Sequence, residues 1–194
     1  IACPSNHPDT ILINVRNASN GTTQGIYQSF DAGNNWTLSN FNPNSLGWGG
    51  LGDNSKIHKI AYHPSVHNLV FVATSNGLYR STDGLQSWTA LLSGADIVDI
   101  AFHPTDPSVI YLYDTYYWGT NQSVVLRSND GGFNFSSSAI LAGNNDANGI
   151  LSTTPSCPNC VYFASTNGIW RSDDAAVSFS FLSNPNESCD GFAV

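Results

Sequence analysis

The sequence is poor in charged residues, and the two that most favour helices are almost missing. Only 10% of its 194 residues are charged. Glutamate occurs once, at Glu187, and lysine occurs only at Lys56 and Lys59. Glu and Lys are good helix formers, whereas Asn, Ser, Thr, Gly and aromatic residues, which are abundant here, favour turns and strands. The composition therefore predicts an all-β fold.

The chain also lacks the features that bind nucleic acid or enter a bilayer. Its formal net charge is −8, which argues against nucleic acid and anionic membranes as partners. Three of its four arginines (Arg80, Arg127 and Arg171) occupy one place in an internal repeat, so they form no independent basic patch. No apolar run is long enough to span a bilayer, and we expect no membrane insertion. The sequence starts at Ile1 without a Met or a signal sequence, which we interpret as a processed or partial chain.

One eight-residue pattern occurs four times, at residues 29–36, 81–88, 128–135 and 172–179. It reads Ser-x-Asp-x-(Gly or small)-x-x-aromatic, and we call these segments the four acid turns. Their serines lie at positions 29, 81, 128 and 172, so the intervals are 52, 47 and 44 residues. A nearly constant period in this range indicates stacked copies of one supersecondary unit.

Each acid turn follows a short apolar stretch that reads as a strand. A short carboxylate accepts hydrogen bonds from backbone N–H groups of its own turn, and the aromatic residue opens the returning strand. The small residue two places after Asp suits a positive φ. Leu85 and Ala176 stand at this place in two copies, where the residue type leaves the backbone conformation open.

The pattern resembles the Asp-box, or BNR repeat, of β-propellers. This family includes sialidases, sortilin-like receptors, xyloglucan-cleaving glycoside hydrolases and photosystem assembly factors. The resemblance covers nearly the whole chain and implies a structural role, because the Asp-box of this family is a folding staple at a blade edge, away from active sites. The residues that would hold the turns are Ser29, Asp31, Trp36, Ser81, Asp83, Trp88, Ser128, Asp130, Phe135, Ser172, Asp174 and Phe179.

The order of three strands, an acid turn and a fourth strand predicts one propeller blade per repeat. We expect about four blades of four antiparallel strands, at approximately 1–50, 51–95, 96–145 and 146–194, in a single propeller domain or a propeller fragment. The chain could be part of a larger ring or tandem array, which we favour, or a closed four-bladed ring.

Four cysteines and six Asn-x-Ser/Thr sequons favour a secreted or cell-surface glycoprotein. We predict disulfides Cys157–Cys160 and Cys3–Cys189, one of three possible pairings. A free or metal-bound Cys157–Cys160 pair is the alternative, but the second pair of ligands that zinc needs is missing. The candidate glycosylation sites are Asn17, Asn20, Asn35, Asn121, Asn134 and Asn186.

Three histidines precede proline at one place in the repeat: His7, His63 and His103. A metal triad is conceivable, but we interpret His-Pro as turn punctuation and expect no metal or cofactor. The acids of the turns likewise have a local context that predicts turn caps rather than catalysis. The candidate carboxylates outside the acid turns include no pair marked by a motif; these candidates are Asp53, Asp96, Asp99, Asp114, Asp146 and Asp190.

Two insertions carry unusual aromatic residues. Residues 40–55 contain Trp48, and residues 114–121 contain Tyr116, Tyr117 and Trp118. Insertions in repeat proteins often lie on a binding face, so we predict contact with a glycan or protein, the alternative being packing on a neighbouring blade.

These features lead to a prediction of a non-catalytic extracellular propeller. It would bind a protein, a glycan or copies of itself, alone or within a larger surface or filamentous protein. The alternative is a fragment of a xyloglucanase-like carbohydrate-active enzyme whose catalytic acids lie partly outside this chain. A sialidase would need an arginine cluster, and only Arg16 lies outside the repeated positions.

Overall fold

The structure is a computed structural model that describes residues 1–4, 7–16, 23–41, 56–66, 68–115, 123–141 and 148–183. These residues form fifteen strands in four antiparallel sheets and contain no helix, hence none that could cross a membrane. In each sheet the strands lie side by side in chain order. The prediction of an all-β fold built from propeller blades is confirmed.

Blade 1 has three strands and one isolated bridge. Its strands are β1 (Ile11–Arg16), β2 (Thr23–Ser29) and β3 (Thr37–Leu38). Ala2 forms a bridge with Leu12 of β1, at the place where the other blades have their first strand.

Blades 2, 3 and 4 each have four strands. Those of blade 2 are β4 (Ile57–Tyr62), β5 (Val70–Thr74), β6 (Gly77–Ser81) and β7 (Thr89–Ser93). Those of blade 3 are β8 (Ile97–Phe102), β9 (Ile110–Asp114), β10 (Ser123–Ser128) and β11 (Ser136–Leu141). Those of blade 4 are β12 (Ile150–Thr154), β13 (Cys157–Ser165), β14 (Gly168–Ser172) and β15 (Ser180–Ser183).

The middle strands are buried because both of their faces are covered. Every residue of β5 and β9 is buried, whereas β15 at the outer edge of blade 4 is exposed throughout. The sequences of β5 and β9 are rich in β-branched and aromatic residues, which suit a strand covered on both faces.

The chain forms two compact units, Ile1–Gly94 and Ala95–Val194. The core of the first unit contains Leu12, Ile26, Val72 and Tyr79, with β1 in contact with β4. The core of the second contains Tyr111, Tyr113, Val161 and Phe163, with β12 against β8 and β9. Each unit thus joins two consecutive blades through their inner strands and buried aromatic rings.

Each blade has two ends that differ in content. The turn end carries the acid turn between the third and fourth strands, together with the loop between the first and second strands. The far end carries the loop between the second and third strands. In blade 3, the far end lies beside Asp96 and Asp114, where β8 begins and β9 ends.

Candidate functional site

The four acid turns share one network of hydrogen bonds. The serine hydroxyl donates to Oδ1 of the aspartate, at 2.7–2.9 Å. The same serine oxygen accepts the N–H of the residue four places later, at 2.8–2.9 Å. Oδ1 of the aspartate accepts the N–H four places after itself, also at 2.8–2.9 Å. The serine and aspartate side chains at the start of each turn therefore bind backbone N–H groups at its end, and these bonds close the turn.

A side chain four places after each aspartate completes the network. It donates to Oδ2 of the aspartate at 2.5–2.8 Å. The donor is the amide nitrogen of Asn35 or Asn134 in two turns, and the hydroxyl of Ser87 or Ser178 in the other two. Asn and Ser are interchangeable here because each can place one donor on the carboxylate.

These hydrogen bonds hold all four carboxylates ionised. The backbone N–H of Asn35 and of Asn134 contributes most to lowering the pKa of Asp31 and of Asp130 to about 2. In the other two turns, the Ser87 or Ser178 hydroxyl contributes most, and the pKa of the carboxyl is again lowered to about 2. A carboxyl with this pKa is not protonated at neutral pH, so it cannot act there as a general acid.

Two consecutive residues after each aspartate have a positive φ, whatever their type. In two turns one of the pair is not glycine, and in blade 4 neither is, with φ of +58° at Ala175 and +70° at Ala176. Leu85 has a φ of +75° although only 5% of its surface is exposed. Residue type left this conformation open in the sequence, and the structure shows that the hydrogen-bond network imposes it.

Every acid turn is also hydrogen-bonded to an earlier segment of its own blade. The N–H of the first positive-φ residue donates to a backbone carbonyl, which lies just before β1 in blade 1, in the loop between the first two strands in blades 2 and 3, and within β13 in blade 4. These pairs are Ala32 to Asp9, Gly84 to Asn68, Gly131 to Ser108 and Ala175 to Asn159, at 2.8–3.4 Å.

The loops that accept these bonds are ordered in different ways. In blade 2, Nδ1 of His63 accepts the N–H groups of Ser65 and Val66, at 3.2 and 3.0 Å. His103 accepts the N–H groups of two following residues in the same manner in blade 3. Nδ1 of each ring is engaged in organising a loop, an arrangement that fits turn punctuation.

Blade 4 has no histidine at this place and has a disulfide instead. Cys157 and Cys160 are bonded, with an S–S distance of 2.04 Å, so this predicted disulfide is confirmed. Both cysteines lie within β13, where Thr153 pairs with Val161 but Thr154 pairs with Cys157. The disulfide therefore closes a bulge inside the strand.

The sulfur atoms of this disulfide lie near a carboxylate. Oδ1 of Asp173 is 3.2 Å from Sγ of Cys160 and 2.5 Å from the guanidinium of Arg171. The three potential ligands of Cys157, Cys160 and Asp173 lie within 4.8 Å of one another. Because the sulfurs are bonded to each other, they are not available as thiolate ligands. Cys3 has a free, exposed thiol, and Cys189 lies outside the described residues, so their pairing stays a prediction.

Three carboxylates outside the acid turns lie close to the inner strands of blade 3. Asp99 is 4% exposed; its Oδ1 accepts its neighbour's N–H and its Oδ2 accepts the N–H of Leu151 at 2.7 Å. It therefore links β8 to β12. Asp114 is 1% exposed and accepts the N–H of Asp96 at 3.1 Å. Asp96 is partly exposed, and Oδ2 of its carboxylate accepts the hydroxyl of Thr115 at 2.8 Å.

The repeated arginines are used within a blade or between two neighbouring blades. Arg80 is 8% exposed, Arg127 donates to the carbonyl of Ala175, and Arg171 pairs with Asp173. Several other predicted site residues lie outside the described residues. These are Trp48, Tyr116, Tyr117, Trp118, Asp53, Asp146, Asp190, Asn17, Asn20, Asn121 and Asn186.

No protein-family model matches the sequence. A xyloglucanase of Hypocrea jecorina (strain QM6a) is 31% identical over 146 residues, which cover 64% of this chain and 17% of the relative. A xyloglucanase of a Paenibacillus species is 27% identical over 177 residues, which cover 88% of this chain and 16% of the relative. A probable oligoxyloglucan-reducing end-specific xyloglucanase of Neosartorya fischeri is 28% identical over 153 residues, which cover 70% of this chain and 19% of the relative. The chain thus spans less than a fifth of the length of these curated relatives.

Solved structures show the same fold. An ancestral GH74 enzyme superposes with a TM-score of 0.69 at 21% identity, covering 92% of this chain and 23% of that one. A GH74 enzyme of Niastella koreensis superposes with a TM-score of 0.61 at 23% identity, and the match covers 96% of this chain and 24% of that one.

The comparisons correct the prediction of function. The sequence favoured a non-catalytic binding or assembly module because no motif marks a catalytic pair of carboxylates. All three curated relatives are xyloglucanases, so that prediction is wrong and the alternative, a fragment of a carbohydrate-active enzyme, is favoured. The chain is built of β-propeller blades, and the relatives whose sequences match it are xyloglucanases.

Proposed function

We propose that this chain supplies propeller blades to an enzyme that hydrolyses xyloglucan. The observation that carries the proposal is the match to three xyloglucanases, one of them over 88% of the chain. The match includes whole blades rather than one motif, since it extends well beyond a single acid turn. We also propose that the acid turns are Asp-boxes with a structural role, which their shared hydrogen bonds and low carboxyl pKa support.

Hydrolysis of a glycosidic bond needs an acid that is protonated at the right moment and a second carboxylate that acts as base or nucleophile. The aspartates of the acid turns are unsuited to the first role because their pKa is near 2. Asp99 is engaged by two backbone N–H groups between β8 and β12. Among the described residues, Asp96 combines a partly exposed carboxylate with a backbone N–H that donates to the carboxylate of the buried Asp114.

We place the substrate side of blade 3 at its far end. Asp96, Asp114 and Thr115 are joined there by hydrogen bonds, and the predicted aromatic binding residues 116–118 follow Thr115 directly in the sequence. Carboxylates that are close in sequence to aromatic residues suit a polysaccharide site, because aromatic rings stack on sugars and acids reach hydroxyls or the glycosidic oxygen. The remaining catalytic groups would come from residues outside those described.

We further propose that the protein acts outside the cell. The Cys157–Cys160 disulfide supports this placement, since disulfides persist in oxidising compartments.

The function is tested with the protein that contains this chain and with xyloglucan as substrate. We expect release of reducing ends from xyloglucan, and none from a sialoside control. Migration in a gel that contains xyloglucan measures binding separately. Absence of both hydrolysis and gel retardation would contradict the proposal.

The far end of blade 3 is tested with a matched pair of variants. Asp96→Asn removes a carboxylate at the far end, and Asp106→Asn removes an exposed one at the turn end of the same blade. We expect Asp96→Asn to lower kcat about a hundredfold, the scale of general acid–base catalysis, and Asp106→Asn to leave it unchanged. Equal kcat values in the two variants would show that Asp96 is not part of the catalytic site.

A further inference from the structure

A second concave site lies in the first unit, at the turn ends of blades 1 and 2. It is a pocket of about 260 Å³, close to the lower limit of volumes typical for small-molecule sites. Its walls come from the first loop of blade 1, the acid turn of blade 1, the β4–β5 loop and the acid turn of blade 2. Asp96 belongs to the other unit and is not among the residues that line this pocket.

The aromatic wall of this pocket has an unusual origin. Phe30 lies between the serine and the aspartate of the first acid turn, and its ring is 60% exposed. The other three turns have Thr82, Asn129 and Asp173 at this position, all polar. The hydrogen bonds of the turn use its serine and aspartate and place no demand on the residue between them. An exposed phenylalanine here is therefore not explained by the turn.

The remaining walls combine apolar surface with hydrogen-bonding groups. Thr10 and Asn68 bring a hydroxyl and an amide, and His7 and His63 bring imidazoles. Tyr62 brings a phenol that stays neutral, because burial raises its pKa to about 12. Among the residues that the structure describes, none of those lining the pocket is Asp, Glu, Lys or Arg.

This composition selects the class of ligand. A pocket without carboxylates, ammonium or guanidinium groups has no ion pair to offer a charged ligand. An aromatic face beside several donors and acceptors fits a molecule with an apolar face and many hydroxyls. A pyranose ring has both features, since its axial C–H groups form an apolar face and its equatorial hydroxyls point outward.

We propose that this pocket binds one neutral sugar ring, which stacks on Phe30 and forms hydrogen bonds with the polar groups of the opposite wall. The site is distinct from the proposed catalytic end of blade 3 and requires no hydrolytic activity. It would hold a glycan chain on the turn side of the first unit while the reaction takes place elsewhere.

The experiment titrates the protein with xylose, galactose, glucose and cellobiose and records the imidazole carbon–proton NMR signals of His7 and His63. We expect saturable shifts of these signals with at least one sugar. Phe30→Ala should weaken that binding roughly three- to tenfold, the range expected when an aromatic contact is lost. Phe133→Ala is the matched control, because Phe133 is also in an acid turn, is 62% exposed and does not line the pocket.

The outcomes separate this proposal from the proposed function. Weaker sugar binding in Phe30→Ala but not in Phe133→Ala supports the pocket, even if xyloglucan is not hydrolysed, and unchanged binding in Phe30→Ala overturns it. No saturable shift with any of the four sugars overturns it, even if hydrolysis is found. Equal weakening in both variants, or equal shifts with glycerol, also overturns it, because either result means nonspecific contact.

Discussion

Replacement of Leu85 by glycine tests whether burial or backbone strain dominates in the acid turns. Leu85 has a φ of +75°, a conformation that costs an L-residue about 1–2 kcal/mol. Its side chain is 5% exposed and belongs to the core cluster that contains Phe41, Tyr79 and Trp88. The same substitution therefore removes strain and removes buried apolar surface.

The two effects differ enough to predict the sign. Truncation of a buried leucine costs about 2–5 kcal/mol, and glycine adds about 0.5–1 kcal/mol through the greater freedom of the unfolded chain. Subtracting the relieved strain leaves Leu85→Gly destabilised by about 0.5–5 kcal/mol, with a central value of about 3 kcal/mol. Ala32 has a φ of +57° but is exposed, so Ala32→Gly relieves strain without loss of burial. It should stabilise the protein by about 0.5–1 kcal/mol.

Urea unfolding, followed by circular dichroism and by tryptophan fluorescence, measures both variants. With a slope of about 2–3 kcal/mol per molar urea, Leu85→Gly should lower the midpoint by about 1 M, and Ala32→Gly should raise it by a few tenths. Trp88 lies in the same core cluster as Leu85, so its fluorescence reports on the relevant unit. A Leu85→Gly midpoint at or above that of the parent, with unchanged slope, would show that strain outweighs burial and would refute the reasoning.

Three further predictions concern the hydrogen bonds and the disulfide. The pKa of Asp130 is lowered from 3.8 to about 2, so the stability that it contributes is complete above about pH 4 and is lost as the pH falls through 2. The urea midpoint should fall over that interval, and less steeply in Asp130→Asn; parallel profiles would disprove the link. Asn134→Ser should retain the parental melting temperature, because serine donates to the aspartate at this place in two other turns. Asn134→Ala should lower the free energy of unfolding by about 1 kcal/mol. Equal destabilisation of the two variants would contradict this role of the side chain. Replacing Cys157 and Cys160 together by serine should cost roughly 2 kcal/mol in chemical denaturation, as loop entropy predicts for a short ring, and no change would show that other contacts hold the bulge.

The repeat made the fold accessible from the sequence. Strand order follows from the position of each acid turn, and the apolar composition of β5 and β9 marks the buried strands. The conformation of Leu85 and Ala176 was not accessible, because residue preference argues against positive φ at both and the surrounding hydrogen bonds overrule it. The sequence did not predict the bulge within β13, because a disulfide between cysteines three positions apart is equally compatible with a turn.

The candidate site was less accessible than the fold. Asp99 accepts an N–H from a residue 52 positions away, and no local pattern indicates which of several aspartates will find such a partner. The acid turns are the most prominent pattern in the sequence because they repeat. A residue that repeats in every blade reflects a requirement of the fold that all blades share. A function confined to one blade leaves no repeated trace, so composition and spacing led to the wrong class of function.

Each acid turn is bonded to a segment of its own blade, and in blade 4 it is also bonded to the preceding blade, because Arg127 donates to the carbonyl of Ala175. The rigidity of a turn end therefore depends on its own sequence and, in blade 4, on a side chain of the neighbouring repeat. The segments that accept the turn's N–H are stiffened in different ways, since blade 4 has a cysteine pair where blades 2 and 3 have histidine. Under reducing conditions blade 4 would lose this disulfide, whereas the histidine hydrogen bonds of blades 2 and 3 would remain.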